Sequence, residues 1–259
     1  MSIGVRARIA LGAAFKHFWL SLLVAAVAAA LVLGLWYPSP YGKLSGGFAL
    51  FGLLVIVDVI CGPLLTLVVF DLRKPRSELI RDIGIIVLIQ VAALVYGFYS
   101  IAQARPIFLA YEGNRFRVVS MADIQVDELP RALPALRKIS YIGPRLVGVK
   151  LLETDDAEYR DSIMLSMQGI HPAFRPERWV HYESQLVDLQ AALRSISVLK
   201  TKHPIAIDSI NEVLSRHDLT EQNAGYLPLT ASKAHPSDWV VIVERSSGLP
   251  RAYLPLDGW

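Results

Sequence analysis

Three stretches of the chain abandon the mixing of apolar and polar positions that a soluble fold shows. Phe18 to Trp36 is apolar apart from Ser21. Gly47 to Phe70 carries a single charge, Asp58, and Ile83 to Ile101 is apolar apart from Gln90 and Ser100. A helix rising 1.5 Å per residue needs about 20 such residues to cross a hydrocarbon layer roughly 30 Å thick. A helix apolar on every side is rarely the core helix of a soluble domain, so the pattern predicts three membrane-spanning helices, at about 18–36, 47–70 and 83–101. The first has a basic approach and an alanine run like a signal peptide. It is read as a retained span, because cutting after Ala30 would leave Leu31 to Trp36 as a bare apolar tail.

From Arg105-Pro106 onward the pattern is that of a globular domain with both periodicities. Ile107 to Tyr111 and Arg115 to Val119, joined by Glu112-Gly113-Asn114, read as a hairpin. Residues 121–140 read as partly helical, Leu146 to Leu152 as a strand, and Tyr159 to Met167 as a short helix. Ser184 to Lys200 reads as the clearest helix, with Leu186, Leu189, Leu193, Ile196 and Leu199 on one stripe. Ser209 to Glu212 has the spacing of a capping box opening another helix that ends near His217. Trp239 to Glu244 and Arg251 to Leu254 read as strands joined by a turn at Arg245-Ser-Ser-Gly248. Three histidines, His171, His203 and His235, precede prolines, which predicts turns. The expected class is a membrane protein with three transmembrane helices followed by an α+β extracytoplasmic domain. Its division is a membrane domain over 1–104 and a periplasmic domain over 105–259.

Charge sets the expected orientation. Cytoplasmic loops are rich in Lys and Arg. The N-terminal tail has Arg6, Arg8 and Lys16, and the second loop has Arg73, Lys74, Arg76 and Arg81, against Lys43 alone in the first loop. The tail and second loop are therefore expected inside, and residue 105 onward outside. The formal charge of +3 arises from these short loops, since residues 105–259 hold eighteen basic against nineteen acidic side chains. Nucleic acid is thus not an expected partner, whereas the lipid bilayer is. A single cysteine, Cys61, excludes an internal disulfide and a multi-cysteine zinc site.

Within the spans, small residues recur at spacing four: Ser21, Ala25 and Ala29; Ala26, Ala30 and Gly34; Ala93 and Gly97. Such stripes let helix backbones approach, either among these three helices or against another protein's helix. Asp58 is costly near mid-membrane, by about 3 kcal/mol on insertion scales. Pro63 removes a helical donor just beyond it and predicts a kink. Gln90 and Thr66 lie at comparable depth. Asp58, Thr66 and Gln90 read either as an internal polar clasp or as a receptor for a partner's intramembrane polar group. The usual catalytic signatures (G-x-S-x-G, H-E-x-x-H, P-loop, G-x-G-x-x-G) are absent. His171, Glu177, His181 and Glu183 are near in sequence, but their spacing fits no common metal site. No catalytic, cofactor-binding or metal residue is expected, and the outer domain reads as a binding module.

Trp36-Tyr-Pro-Ser-Pro-Tyr41, Gly46-Gly47, Asp58, Cys61-Gly-Pro-Leu-Leu-Thr66, Lys74, Asp82, Gln90, Tyr96-Gly97, Arg105-Pro106 and Leu227-Pro-Leu229 resemble the TfpX/TfpZ family of type IV pilin accessory proteins. The resemblance runs over most of the chain and is strongest over 36–120. It implies a non-enzymatic, multi-pass protein of the bacterial inner membrane that assists type IV pilin stability, assembly or pilus dynamics, as a chaperone or assembly factor. The implied partner is the major pilin, with other pilus-assembly membrane proteins possible and no cofactor. Asp58, Gly62, Pro63, Thr66, Gln90 and Arg105 are the candidate partner-contact or intramembrane polar residues. The alternative is a membrane-anchored sensor or transport-associated subunit whose periplasmic domain binds a small molecule. A membrane-tethered hydrolase is the weakest alternative, for want of a nucleophile–base set.

Overall fold

The computed structural model describes residues 3–71, 73–231 and 239–259, with side chains from residue 7 onward in the first of these. The chain divides into two compact units, Met1–Arg105 and Pro106–Trp259.

The first unit is built from helices α1 (Ile3–Leu31), α2 (Tyr41–Leu44), α3 (Gly47–Ile56), α4 (Gly62–Val69) and α5 (Arg76–Ala104). Widened turns with i→i+5 bonding, Val32–Trp36 and Val57–Cys61, extend α1 and join α3 to α4. This gives three helices long and apolar enough to cross a membrane: Ala7–Trp36, Gly47–Val69 and Arg76–Ala104. Between 11% and 28% of their most apolar windows is buried within the protein, so most of that apolar surface needs an apolar surrounding. α1 begins far earlier than the apolar run predicts. Ala, Leu, Arg and Lys before Phe18 are all strong helix formers, so helicity outlasts hydropathy. α5 likewise starts at Arg76, after Pro75 and with Glu78 in its first turn, where the helix dipole favours an acid. Lys74 pairs with Asp82 at 2.7 Å, tying the connection to α5.

α1 packs along α4, and α3 and α4 pack on α5. Ala28, Val32, Tyr37, Phe51, Leu54 and Ile101 form the buried centre of this unit. Gly97 lies so close to α3 that a Cβ there would meet Leu54 Cδ1 at 2.5 Å. The hydroxyl of Tyr37 donates to the carbonyl of Ile101 at 2.9 Å and holds the end of the first helix to that of α5. Gly46, at φ +70°, supplies the left-handed residue that turns the chain into α3.

The second unit is an eight-stranded mixed sheet: β1 (Pro106–Tyr111), β2 (Phe116–Ser120), β3 (Arg145–Val149), β4 (Trp179–Val180), β5 (Arg194–Ser195), β6 (Ala224–Thr230), β7 (Trp239–Glu244) and β8 (Pro250–Leu254). The order is β4-β3-β1-β2-β6-β7-β8, with β5 also on β6. β1–β3 and β2–β6 are parallel and the other pairs antiparallel. Helices α6 (Tyr159–Met167), α7 (Leu186–Ala192), α8 (Ile196–Lys202) and α9 (Ile207–Arg216) complete the unit. One apolar cluster gathers Ile107, Phe108, Val119, Val147 and Trp179, and a second gathers Ile196, Leu199, Ile210, Leu214, Tyr226 and Ile242. Trp179 packs its ring tilted against Phe108, centroids 4.7 Å apart, and donates its indole N–H to the carbonyl of Ala173 at 2.9 Å.

The segment 184–200 departs from the single helix that its stripe predicts. It forms a 3-10 turn over Tyr182–Gln185, α7, the two-residue strand β5, and α8. Strand pairing of Arg194 with Tyr226 and of Ser195 with Gly225 wins over helix continuation. Gly225 permits it, since a Cβ there would lie 2.9 Å from Leu193 Cβ. Ser195 then caps α8 through its side chain. α9 starts at Ile207, two residues before the predicted capping box, so Ser209 is inside the helix. Residues 121–140 hold short 3-10 turns. His171 and His203 each precede a 3-10 turn opened by proline, and His235 lies outside the described residues.

Candidate intramembrane polar site

The unusual backbone of the second apolar helix begins with a missing donor. Pro63 has no N–H, and just before it the helix widens over Val57–Cys61. In an i→i+5 pattern the donor for the carbonyl of Asp58 would be Pro63 itself. Gln90 of α5 fills the gap: its Nε2 donates to the backbone carbonyl of Asp58 at 3.3 Å. Gly62 makes this approach possible, because a Cβ at that position would fall on the Gln90 amide. Asp58, Gly62, Pro63 and Gln90 thus form one device in which a neighbouring helix repairs a proline break.

The repair leaves two acceptors over. Asp58 is 8% exposed, and among the described residues neither its Oδ1 nor the Oε1 of Gln90 has a hydrogen-bond partner. An orphaned buried polar atom costs about 1–3 kcal/mol. Both side chains line an open cavity of about 150 Å³, together with His17, Ser21 and Val24 of α1 and Val87 of α5. His17 Nδ1 lies 2.7 Å from Thr66 Oγ1, and Thr66 is buried. The arrangement can receive a small group that donates hydrogen bonds, set in an apolar rim.

The structure therefore gathers Asp58, Gly62, Pro63, Thr66 and Gln90 in one region of the helices. Arg105 stands apart: it caps α5, 15 residues past Gln90 and so about 22 Å along the helix, with its guanidinium 5.7 Å from the ring centre of Trp36. His17 is the member that sequence reasoning missed, because it precedes the apolar run. Its signal was position: His17, Ser21, Ala25 and Ala28 recur at spacings of four and three, one face of a helix. Of the small stripes, Ser21, Ala25 and Ala29 turn inward, whereas Ala26, Ala30 and Gly34 are exposed.

A sequence profile described as "Fimbrial assembly protein FimB" matches residues 5–46, the segment that carries His17 and Ser21. A fimbrial assembly protein of serogroup I from Dichelobacter nodosus is 37% identical over 238 residues, 91% of each chain. The chain belongs to the fimbrial assembly protein family. A second relative in the family, of serogroup E1 from the same organism, is 35% identical over 240 residues, again 91% of each chain. A shorter one, of serogroups C1 and C2, is 47% identical over 116 residues, covering 45% of this chain and 88% of its own. No solved structure matches the chain.

Proposed function

We propose that this family member is a non-enzymatic accessory factor of the TfpX/TfpZ type that assists type IV fimbrial assembly from the bacterial inner membrane, by binding the pilin subunit. The observation that carries the reading is the match to fimbrial assembly proteins along 91% of both chains. The three apolar helices supply the membrane anchor. Seven Lys or Arg in the tail and second loop, against one in the first loop, favour a cytoplasmic N-terminus and an outer domain on the periplasmic side. In this reading the cavity beside Asp58 and Gln90 receives a polar group of a pilin helix waiting in the membrane. Its two unpaired acceptors give a donor-bearing side chain a partner that lipid cannot offer.

Deleting the gene is expected to lower surface fimbriae or pilin protein with pilin transcript unchanged, because an assembly factor acts after synthesis. The test is shearing of surface fimbriae with whole-cell pilin blots, in strains with and without a working retraction motor. Recovery when retraction is blocked assigns the protein to extension. Continued loss with depleted pilin assigns it to subunit protection. Unchanged fimbriae and unchanged pilin in every background overturn the reading.

A further inference from the structure

The turn after β1 gathers charged side chains of the second unit in one place. Glu112 is buried at the end of that strand, and Arg117 returns beside it on β2, its Nε donating to Glu112 Oε2 at 3.0 Å. The other carboxylate oxygen accepts from the backbone N–H of Ala173 at 3.3 Å. Both oxygens of Glu112 are thus engaged. Arg117 is 8% exposed, and its guanidinium packs over Phe174. A second guanidinium, Arg115, lies alongside, with its Nε on Asn114 and its plane over the Trp259 ring at 4.6 Å. Its Nε is 3.9 Å from the same carboxylate oxygen, too far for a hydrogen bond.

Both arginines line one cavity of about 730 Å³. Leu151, and Ile163 and Met167 of α6, all of them exposed, give the lining an apolar part beside Ser162 and Ser166. His171 also lines it, and burial, followed by the charge of Arg117, holds its imidazole below the ordinary value, which keeps it neutral at pH 7. Arg115, Arg117 and Glu112 line the cavity, and Asp123 lies near enough to act on His171 as well.

We propose that this cavity is a binding site for a peptide carboxylate flanked by an aliphatic side chain. A guanidinium fork matches a carboxylate in shape. The apolar part of the lining has no use for a bare inorganic ion, and the volume lies within the range of roughly 300–1,000 Å³ typical of ligand sites. The site lies wholly within the second unit and does not depend on the reading of Asp58.

The test uses the full chain in detergent with labelled probes, followed by fluorescence anisotropy. One probe is acetyl-Ala-Leu-Glu-Leu-Ala-amide, and its control carries Gln in place of Glu. A second is acetyl-Ala-Leu-Leu with a free C-terminal carboxylate, and its control is the amide. Saturable binding of a carboxylate probe, at least tenfold weaker for its neutral control, is expected, and whichever probe binds identifies the carboxylate as a side chain or a chain end. Arg117 holds Glu112, so the informative variants are Arg115→Gln and Met167→Asp. Met167 is 78% exposed, so its replacement spares the fold while placing a repelling carboxylate at the wall. Each is expected to weaken binding at least fivefold with an unchanged melting temperature. Equal binding of charged and neutral probes, no binding of any probe, wild-type affinity in both variants, or inorganic phosphate competing as tightly as the peptides would each overturn the proposal.

Discussion

Gln90 donates its side-chain amide to the backbone carbonyl of Asp58, standing in for a proline that has no N–H. This ties the geometry of the second apolar helix to a residue on the third. The tie is long at 3.3 Å, and it rests on the bare face of Gly62.

Gly62→Ala is accordingly expected to destabilise the helical unit by about 1–3 kcal/mol, since the methyl displaces the Gln90 amide and orphans a buried carbonyl. Gln90→Ala should cost a similar amount, and the double variant little more than either alone, because both remove one interaction. Thermal unfolding of the purified chain in detergent measures this. Additive losses would show that Gly62 and Gln90 act separately.

Asp58 and Gln90 each retain an unpaired acceptor facing the cavity shared with His17. Asp58→Leu is expected to leave the protein inserted and present at normal level while fimbriation falls, and Asp58→Asn to be milder because it keeps an acceptor. Membrane blots and sheared-fimbria yields check both. Normal fimbriation in Asp58→Leu removes Asp58 from the functional site, and disappearance of the protein assigns it to internal support.

Orientation is tested by fusion. A reporter active only in the periplasm should be active when joined after Trp259 and silent when inserted in the loop carrying Arg73 and Lys74. The reverse pattern overturns both the orientation and the outer position of the second unit.

His171 predicts a pH dependence. Burial and then Arg117 depress its imidazole below the ordinary value of about 6.5, so the unfolded chain binds that proton more readily than the folded one. The resulting stability is fully present above pH 6.5 and is lost as pH falls below it. Glu244 and Asp257 are depressed as well, by hydrogen bonds from Arg251 and Lys202 respectively, and their contribution fades only in the more acidic carboxylate range. The melting temperature should therefore fall between pH 7 and 5 in the wild type and fall less in His171→Phe. Parallel profiles for the two proteins would remove His171 as the cause.

What the sequence displayed depended on how local the cause was. Long apolar runs announced the three helices, but not the start of α1, where alanines and basic residues continue a helix that hydropathy alone would end. The β1–β2 and β7–β8 pairs were legible because each is closed by a nearby turn. β6 was not, since Pro228 argues against a central strand. Its position explains the exception: it falls between the residues paired with β5 and those paired with β2, where no partner on that edge asks for an N–H. The stripe over 184–200 kept Leu189, Leu193, Ile196 and Leu199 buried through a break in the helix, so periodicity was right about burial and wrong about continuity. In the polar site, Asp58, Gly62 and Gln90 stood out against apolar neighbours, whereas His17 lies just before the apolar run, beside Lys16.

The parallel pairing of β2 with β6 joins Phe116 to Leu229 and Arg117 to Thr230, across more than a hundred residues of chain. Synthesis proceeds from the N-terminus, so β1, β2 and β3 emerge long before the strand that seals β2. Until then the growing sheet presents an open row of backbone donors and acceptors, a template for the wrong neighbour. Loop closure over such a distance is slow, and the exposure lasts correspondingly long. A member of a fimbrial assembly family thus passes through a vulnerable interval of its own, ended only when its last third arrives.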